Sequence, residues 1–221
     1  MFRKILILED IDSISISITA MLEKNFEAEI VNAKYCDEGY LLVKKAILDQ
    51  NPFDLIITDL SFKADNREST INSGEELIKR IREEFPPVKI IVYSIEDRPF
   101  LIRSLFNTND INAYVAKGRD SINELTEAIH NVYAGGVYLS PEFAEVFKDQ
   151  SVFEIDKFDV EILKLLSEGL TQEDISGIFK EKNYPSPSTS SIEKKINKLK
   201  FMFKANNSIH LVAITKDMRL I

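Results

Sequence analysis

Acidic, hydroxyl and lysine side chains follow four short apolar segments of this sequence, at the point where each segment ends. Glu9 and Asp10 close the first segment, Asp59 the third, Ser94 the fourth and Lys117 the fifth. If these segments are parallel strands of one sheet, their carboxyl ends meet at one edge, where such sheets bind ligands. Carboxylates that converge with one ammonium suit a hard cation together with a phosphoryl group. The spacing therefore predicts a site for phosphoryl chemistry.

Each group of this predicted site has a role that suits its chemistry. Asp59 can act as the nucleophile, because a carboxylate can attack phosphorus to give an acyl phosphate. Lys117 can neutralise phosphoryl oxygens as a point charge, and the Ser94 hydroxyl can donate a hydrogen bond to the phosphoryl group. Magnesium prefers oxygen ligands. The predicted magnesium ligands are Asp10, Asp59, the backbone carbonyl of Ser61 and, through water, Glu9. A single charged residue at a strand end is more often only solvent-facing, and the joint placement favours the site.

The elements that must position this site alternate between two kinds of segment over residues 1–133. Short apolar runs are typical of buried parallel strands, and the segments between them have helical spacing. The predicted strands are Arg3–Leu8, Ala28–Ala33, Phe53–Thr58, Val88–Tyr93 and Asn112–Ala116. Ser13–Ile18 alternates as a strand does, but its apolar residues also fit a helical face, and a right-handed crossover requires a helix there. Five strands alternating with five helices predict an α/β domain with a doubly wound five-stranded parallel sheet.

A second, smaller all-α domain is predicted over residues 156–221. The stretch 134–155 contains Gly135, Gly136 and Pro141 and has no long apolar pattern, so we expect a linker. The predicted helices cover Phe158–Leu166 and Thr171–Phe179, with a third starting at Ser190 and a fourth at Ser208. Two pairs have capping-box spacing, namely Thr171 with Asp174 and Ser190 with Glu193.

The third helix of this second domain is predicted to have one apolar and one basic face. Ile192, Ile196, Leu199 and Phe203 form the apolar face. The residues left for the other face are Lys194, Lys195, Asn197 and Lys198. Lysines bind DNA phosphates and make the affinity depend on salt, and an asparagine amide can hydrogen-bond adenine. A solvated charged face on a core helix is the alternative that the residues alone leave open.

Composition limits the classes of protein that remain. The chain has 221 residues, of which 44% are hydrophobic and 29% charged, as in an ordinary globular protein of one or two domains. The net charge of -8 argues against a protein that coats nucleic acid along its whole length. Within 188–221, however, seven basic residues face two acidic ones. The apolar runs are too short for a bilayer, and the single Cys36 excludes an internal disulfide framework, so we expect a cytoplasmic protein.

Residues 1–133 resemble the receiver domain of response regulators, which has a flavodoxin-like fold. The stretches that carry the resemblance are Ile7–Asp10, Asp54–Leu60, Ile91–Ser94 and Ala113–Lys117. It implies that Asp59 accepts a phosphoryl group from a partner histidine kinase or phosphotransfer protein, with Mg²⁺ as cofactor. It also implies that Ser94 moves toward the phosphate and that the Tyr114 ring turns inward. The residues alone leave open the alternative that Tyr114 is only a strand residue that packs on the fourth helix.

Residues 156–221 are similar to LuxR-type helix-turn-helix domains, and the chain thereby resembles the NarL/FixJ class of response regulators. The stretches that carry this resemblance are Ile162–Thr171, Asp174–Ser176 and Phe203–Val212. It implies that the third helix enters the major groove of double-stranded DNA. The DNA-binding residues that it implies are Ser191, Lys194, Lys195, Asn197 and Lys198. The chain departs from the family pattern in Glu193, where the family usually has a lysine, and in two longer segments, Phe62–Asn72 and Lys182–Ser188.

Together the two resemblances imply a two-component response regulator. Phosphorylation of Asp59 would control DNA binding, and so transcription, by a homodimer. An alternative from another class is an adaptor, in which the receiver switches but the divergent helix-turn-helix binds another regulator instead of DNA. An enzyme is not expected, because the sequence has no phosphate-binding glycine loop and no second catalytic set beside the phosphoryl site.

Overall fold

The computed structural model describes residues 1–63, 69–85, 87–108, 111–148, 155–182, 184, 188–218 and 220–221. Met1–Asp97 and Leu101–Ala144 form a first compact unit, and Glu145–Ile221 belong to a second. The boundary at Ala144 falls inside the predicted linker, 134–155. The middle parts of the two longer segments, Phe62–Asn72 and Lys182–Ser188, lie outside the described residues.

The first unit contains a wholly parallel sheet whose strands occur in the order β2-β1-β3-β4-β5-β6. The strands are β1 (Lys4–Leu8), β2 (Glu29–Ala33), β3 (Leu55–Thr58), β4 (Lys89–Ser94), β5 (Ala113–Ala116) and β6 (Tyr138–Leu139). The central strands β1, β3 and β4 are rich in Ile, Leu and Val, as is typical of strands covered on both faces. The first five strands and their alternation with helices confirm the predicted doubly wound α/β fold.

Within the described residues up to 148, six helices accompany these strands. They are α1 (Asp12–Asn25), α2 (Cys36–Leu48), α3 (Gly74–Glu84), α4 (Pro99–Thr108), α5 (Ser121–Tyr133) and α6 (Pro141–Lys148). The ambiguous Ser13–Ile18 lies in α1, as predicted. Ile16 is 67% exposed whereas Ile18 is buried, so the alternating isoleucines do not share a face as they would in a strand. Ile18 and Leu22 of α1 pack with Leu125 of α5 in the core beside the sheet.

The predicted linker, 134–155, carries structure that the sequence pattern does not predict. Its residues Tyr138 and Leu139 form β6, so the sheet has six strands where five are predicted. The Tyr138 amide donates to the carbonyl of Asn112 at 3.1 Å, which adds β6 beside β5. A two-residue strand with half-buried side chains is too short to show a hydrophobic period. Helix α6 follows it directly.

The second unit is a helical domain, as predicted. Its helices are α7 (Lys157–Ser167), α8 (Gln172–Glu181), α9 (Thr189–Met202) and α10 (Ser208–Asp217). The capping box of Thr171 and Asp174 is present at the start of α8. Helix α9 begins before the predicted cap: Ser188, not Ser190, caps it by accepting from the Ser191 amide at 3.2 Å. Both serines precede the same apolar face, so the pattern does not distinguish them.

Buried apolar side chains from all four helices form the core of this unit. The predicted inner face of α9 is buried, namely Ile192, Ile196, Leu199 and Phe203. Gly169, with a φ of +87°, ends α7 in the left-handed region that glycine adopts without strain. Across the described parts of both units, no helix has the length and apolar content needed to cross a membrane.

Candidate functional site

The carboxyl edge of the sheet brings three of the predicted groups together around the ammonium of Lys117. Its Nζ lies 2.7 Å from Oε2 of Glu9 and 2.6 Å from Oδ2 of Asp59. The three side chains are 9%, 1% and 5% exposed respectively. They come from the ends of β5, β1 and β3, and the adjacent strands hold their backbones: the Asp59 amide donates to the Leu8 carbonyl at 3.0 Å. We call Glu9, Asp59 and Lys117 the acidic rim.

The Asp59 carboxylate is also held by the backbone that follows it. Its Oδ1 accepts from the amide of Leu60 at 2.6 Å and from that of Ser61 at 3.3 Å. Hydrogen bonds of this kind fix the direction of a carboxylate. The Ser61 backbone thus lies next to Asp59, where its carbonyl is predicted to bind a metal ion.

Asp10 lies beside the acidic rim rather than in its ion pairs. Its Oδ2 accepts from the Lys63 amide at 2.9 Å, which draws the chain after β3 over the end of β1. Among the residues that the structure describes, no group of three or more His, Cys, Asp or Glu side chains is placed to hold a metal ion. Mg²⁺ commonly takes only one or two protein carboxylates and completes its shell with water and phosphate oxygens. The oxygen donors of Asp10 and Asp59 therefore fit that ion.

Burial sets the electrostatics of the acidic rim. It raises the pKa of Glu9, and the nearby charge of Asp59 adds to this, although the hydrogen bond from Lys117 opposes both. Burial alone lowers the pKa of Lys117, but the hydrogen bonds to Asp59 and Glu9 outweigh it, so that this pKa is raised. Lys117 therefore stays an ammonium at neutral pH and compensates two buried acids.

Ser94 and Tyr114 lie at the neighbouring strand ends, and both are fully buried. The Ser94 hydroxyl accepts from the Glu96 amide at 3.4 Å, and the Tyr114 hydroxyl donates to the Glu96 carbonyl. Burial raises the pKa of Tyr114, so this hydroxyl remains a donor. The Tyr114 ring is turned inward, and the movement on phosphorylation that the resemblance implies for it stays a prediction.

Gly74 is a residue of the site that was not predicted from the sequence. It opens α3, and its amide donates to the Leu60 carbonyl at 3.0 Å. A Cβ added at this position would lie 1.9 Å from the carbonyl oxygen of Asp59 and 2.9 Å from the Cα of Leu60. Only glycine allows α3 to approach the backbone of the predicted phosphoacceptor so closely. The sequence signal for this position is a glycine directly after a helix cap and downstream of β3.

Helix α9 separates the predicted DNA-binding residues into two groups. Lys194 and Asn197 are exposed, and Ser191 and Lys198 are partly exposed. Lys195 instead lies three residues after Ile192 and four before Leu199, both buried, so its side chain leans toward the core. It was predicted to lie on the outer face with Lys194, Asn197 and Lys198, because these residues remain once the apolar face of α9 is removed.

Lys195 joins α9 to the first turn of α7. Its Nζ lies 2.7 Å from Oδ2 of Asp156 and 2.9 Å from Oδ1 of Asp159, and 5.3 Å from the centroid of the Phe158 ring. Asp156 and Asp159 form the capping box of α7, and the Asp159 side chain is fully buried. Burial lowers the pKa of Lys195 but the hydrogen bonds to both acids outweigh it and raise this pKa. Lys195 thus has a structural role within this unit.

Comparison with curated proteins gives relatives of one kind. No family model matches the chain. It is 25% identical over 143 residues to the response regulator GacA of Pseudomonas aeruginosa, which covers 64% of this chain and 60% of the relative. It is 27% identical over 143 residues to the response regulator GacA of Pseudomonas syringae pv. syringae, with 64% and 60% covered. The matched part thus spans about three fifths of the length of these relatives.

Solved structures match the fold over nearly the whole chain. RcsB from Salmonella enterica serovar Typhimurium, bound to promoter rprA in the presence of phosphomimetic BeF3-, has a TM-score of 0.68 at 22% identity, covering 98% of this chain and 99% of that one. Another structure, of the two-component response regulator RcsB-DNA complex, has a TM-score of 0.70 at 21% identity and covers 97% and 98%. These likenesses show the fold. Together, the matches confirm the predicted resemblance: this chain is similar to response regulators of the NarL/FixJ class, with a receiver followed by a LuxR-type helix-turn-helix domain.

Proposed function

We propose that this chain is a two-component response regulator, in which a phosphoryl group on Asp59 controls DNA binding by the helical domain and thereby transcription. The observation that carries the proposal is the acidic rim. Lys117 holds Glu9 and Asp59 together from three separate strands, with all three side chains buried. A buried ion pair stabilises a fold little compared with apolar packing, so three charged groups gathered at one buried edge support a role in chemistry. The GacA relatives, which are named response regulators, support the same function.

The proposed reaction is transfer of a phosphoryl group to Asp59 from a phosphohistidine of a histidine kinase or phosphotransfer protein. An oxygen of the Asp59 carboxylate attacks phosphorus, the P–N bond to the histidine breaks, and the departing nitrogen keeps the electron pair and takes up a proton. Lys117 neutralises the phosphoryl oxygens, and Ser94 donates to them. Mg²⁺, when bound, supplies further positive charge. We assign it to Asp10, Asp59 and the Ser61 carbonyl, with Glu9 acting through water.

The first prediction concerns the phosphoacceptor. The full chain is expected to take up one phosphoryl group from acetyl phosphate in the presence of Mg²⁺, and Asp59→Asn is expected to take up none, because an amide is not a nucleophile toward phosphorus. Intact-protein mass before and after incubation measures the uptake. Asp120→Asn is the matched control, since Asp120 is exposed and its side chain does not cap α5. Uptake that persists in Asp59→Asn contradicts the proposal.

We further propose that α9 contacts double-stranded DNA through its outer face and that the DNA-bound form is a homodimer. The exposed Lys194 and the partly exposed Lys198 support phosphate contacts there. RcsB, which has the same fold, has been solved as two dimers bound to two parallel DNAs. A protein that accepts a phosphoryl group and binds DNA would act in the cytoplasm. In this proposal it acts as a regulator, not as an enzyme on other substrates.

The second prediction separates the lysines of α9. With a duplex selected from a random pool, Lys194→Ala is expected to weaken binding and to reduce the slope of log affinity against log salt by about 1, because one phosphate contact is lost. Lys195→Ala is expected instead to lower the free energy of unfolding by about 1–3 kcal/mol, since the buried Asp159 loses its partner. Mobility shift at several salt concentrations and urea unfolding measure the two effects.

The exposed Lys164 on α7 provides the control, and Lys164→Ala is expected to change neither quantity. If Lys164→Ala and Lys194→Ala changed the salt slope equally, α9 would contact the duplex no more than α7 does. If no duplex is enriched from the pool with or without acetyl phosphate, the adaptor becomes the better assignment for the helical domain.

A further inference from the structure

The segment that follows α5 is hydrogen-bonded to β5, the strand that carries Tyr114. Ser140 follows β6 and is 1% exposed. Its amide donates to the Tyr114 carbonyl at 3.0 Å, and its hydroxyl accepts from the Ala116 amide at 2.9 Å. The same hydroxyl donates to the Glu124 carboxylate of α5. Ser140 thus holds the backbone of β5 at Tyr114 and immediately before Lys117.

Phe143, in the first turn of α6, contacts the ring of that same tyrosine. The two ring centroids are 5.6 Å apart and the rings are inclined at 86°, the edge-to-face arrangement that aromatic pairs favour. Phe143 is 6% exposed and Tyr114 is fully buried. At its other end the Tyr114 hydroxyl is held by the Glu96 carbonyl, next to Ser94. The inward orientation of Tyr114 is therefore fixed at its ring by α6 and at its hydroxyl by the chain after β4.

We propose that Phe143 is a positioning residue of the receiver switch, through which the state of Asp59 is transmitted from Tyr114 to α6. This inference rests on the proposed function. Close-packed interiors respond to a displaced ring by moving to another packed arrangement, not by opening a gap. A movement of the Tyr114 ring must therefore move Phe143 and, with it, the helix Pro141–Lys148, from which the chain continues into the helical domain.

A tryptophan at position 143 tests this directly, because the chain contains no other tryptophan. In full-length Phe143→Trp, addition of beryllofluoride and Mg²⁺ is expected to shift the emission maximum. The shift is expected to vanish when Tyr114→Ala is added to Phe143→Trp. Tyr133→Trp is the matched control: Tyr133 ends α5, is 52% exposed, and its emission is expected to stay constant. A shift that survives Tyr114→Ala overturns the inference.

Fluorine NMR distinguishes failure of the Phe143 proposal from failure of the proposed function. A resonance of bound beryllofluoride that disappears in Asp59→Asn reports that the acidic rim takes the phosphoryl analogue. If this resonance is present while Phe143→Trp emission is unchanged, the inference about Phe143 fails and the proposed function stands. If the resonance is absent from the unsubstituted chain, the proposed function fails, and the inference fails with it.

A second measurement uses DNA binding. Phe143→Ala is expected to reduce the beryllofluoride-dependent gain in DNA affinity by about two- to tenfold, the range expected for the loss of one edge-to-face aromatic contact. Phe143→Leu, which keeps the apolar volume, is expected to recover part of the gain and also serves if Phe143→Ala does not fold. Val137→Ala, at a position 63% exposed in the same segment, is the control and is expected to retain the full gain. An undiminished gain in both Phe143 variants overturns the inference.

Discussion

Lys117→Met is expected to lower the free energy of unfolding at neutral pH by about 3–5 kcal/mol, the usual result of removing one partner from a buried ion pair. The side chain removed is 9% exposed and lies within 2.7 Å of carboxylate oxygens of both Glu9 and Asp59. Without the ammonium, two buried acids would be left to repel each other. Urea unfolding at fixed ionic strength measures the change. Lys63→Met, an exposed lysine on the same side of the sheet, is the control.

The pH dependence of this loss follows from Glu9. Burial already raises the pKa of Glu9 above 4.5, whereas Lys117 lowers it. Removal of Lys117 is therefore expected to raise the pKa of Glu9 further. A carboxyl whose pKa is raised on folding contributes its full stabilisation at pH values below its pKa in the unfolded state. That contribution is lost as the pH rises through its pKa in the folded state. The deficit of Lys117→Met should therefore be largest near neutral pH and shrink on acidification toward 4.5. A deficit that stays constant over this range would contradict the assigned electrostatics.

Gly74→Ala is expected to damage the site through the backbone. The added methyl would lie 1.9 Å from the Asp59 carbonyl oxygen, and backbone atoms cannot rotate away as a side chain can. Overpacking of a well-packed core costs about 1–3 kcal/mol, and displacement of a reacting group by about 1 Å slows reactions by up to about a hundredfold. Both urea unfolding and the rate of phosphoryl uptake from acetyl phosphate should reveal the effect.

The matched control is Gly177→Ala, a glycine inside α8 where an added Cβ has no neighbour within 4 Å. It should stabilise the protein by about 0.5–1 kcal/mol, because alanine loses less conformational entropy in a helix, and leave phosphoryl uptake unchanged. If Gly74→Ala behaves like Gly177→Ala, then α3 does not constrain Asp59, and the close approach has no functional consequence.

Much of the fold and of the acidic rim could be predicted, because both depend on a strong pattern. Buried parallel strands are continuous apolar runs, and their carboxyl ends share one edge, so Glu9, Asp59 and Lys117 could be brought together without coordinates. Helix α1 could be assigned over a competing strand pattern because topology demands a crossover helix. In each case one physical rule decides many residues at once.

The features that escaped prediction depend on single positions. Lys195 belongs to a run of lysines, and composition alone does not show that its side chain leans toward Asp159. The close approach at Gly74 is a distance between backbones, which no residue type specifies. The strand β6 is two residues long and is held by the hydrogen bonds of the Tyr138 and Ser140 amides to the Asn112 and Tyr114 carbonyls, so it leaves no period in the sequence.

The strand β6 also decides where the receiver can be cut for work on the isolated domain. A fragment ending at Tyr133 would leave β5 with the Asn112 and Tyr114 carbonyls unpaired along an open sheet edge. Open edges are templates for pairing with another chain, and so invite aggregation. A fragment that continues to Ala144 keeps β6 in place, retains the buried Phe143 ring and covers that edge.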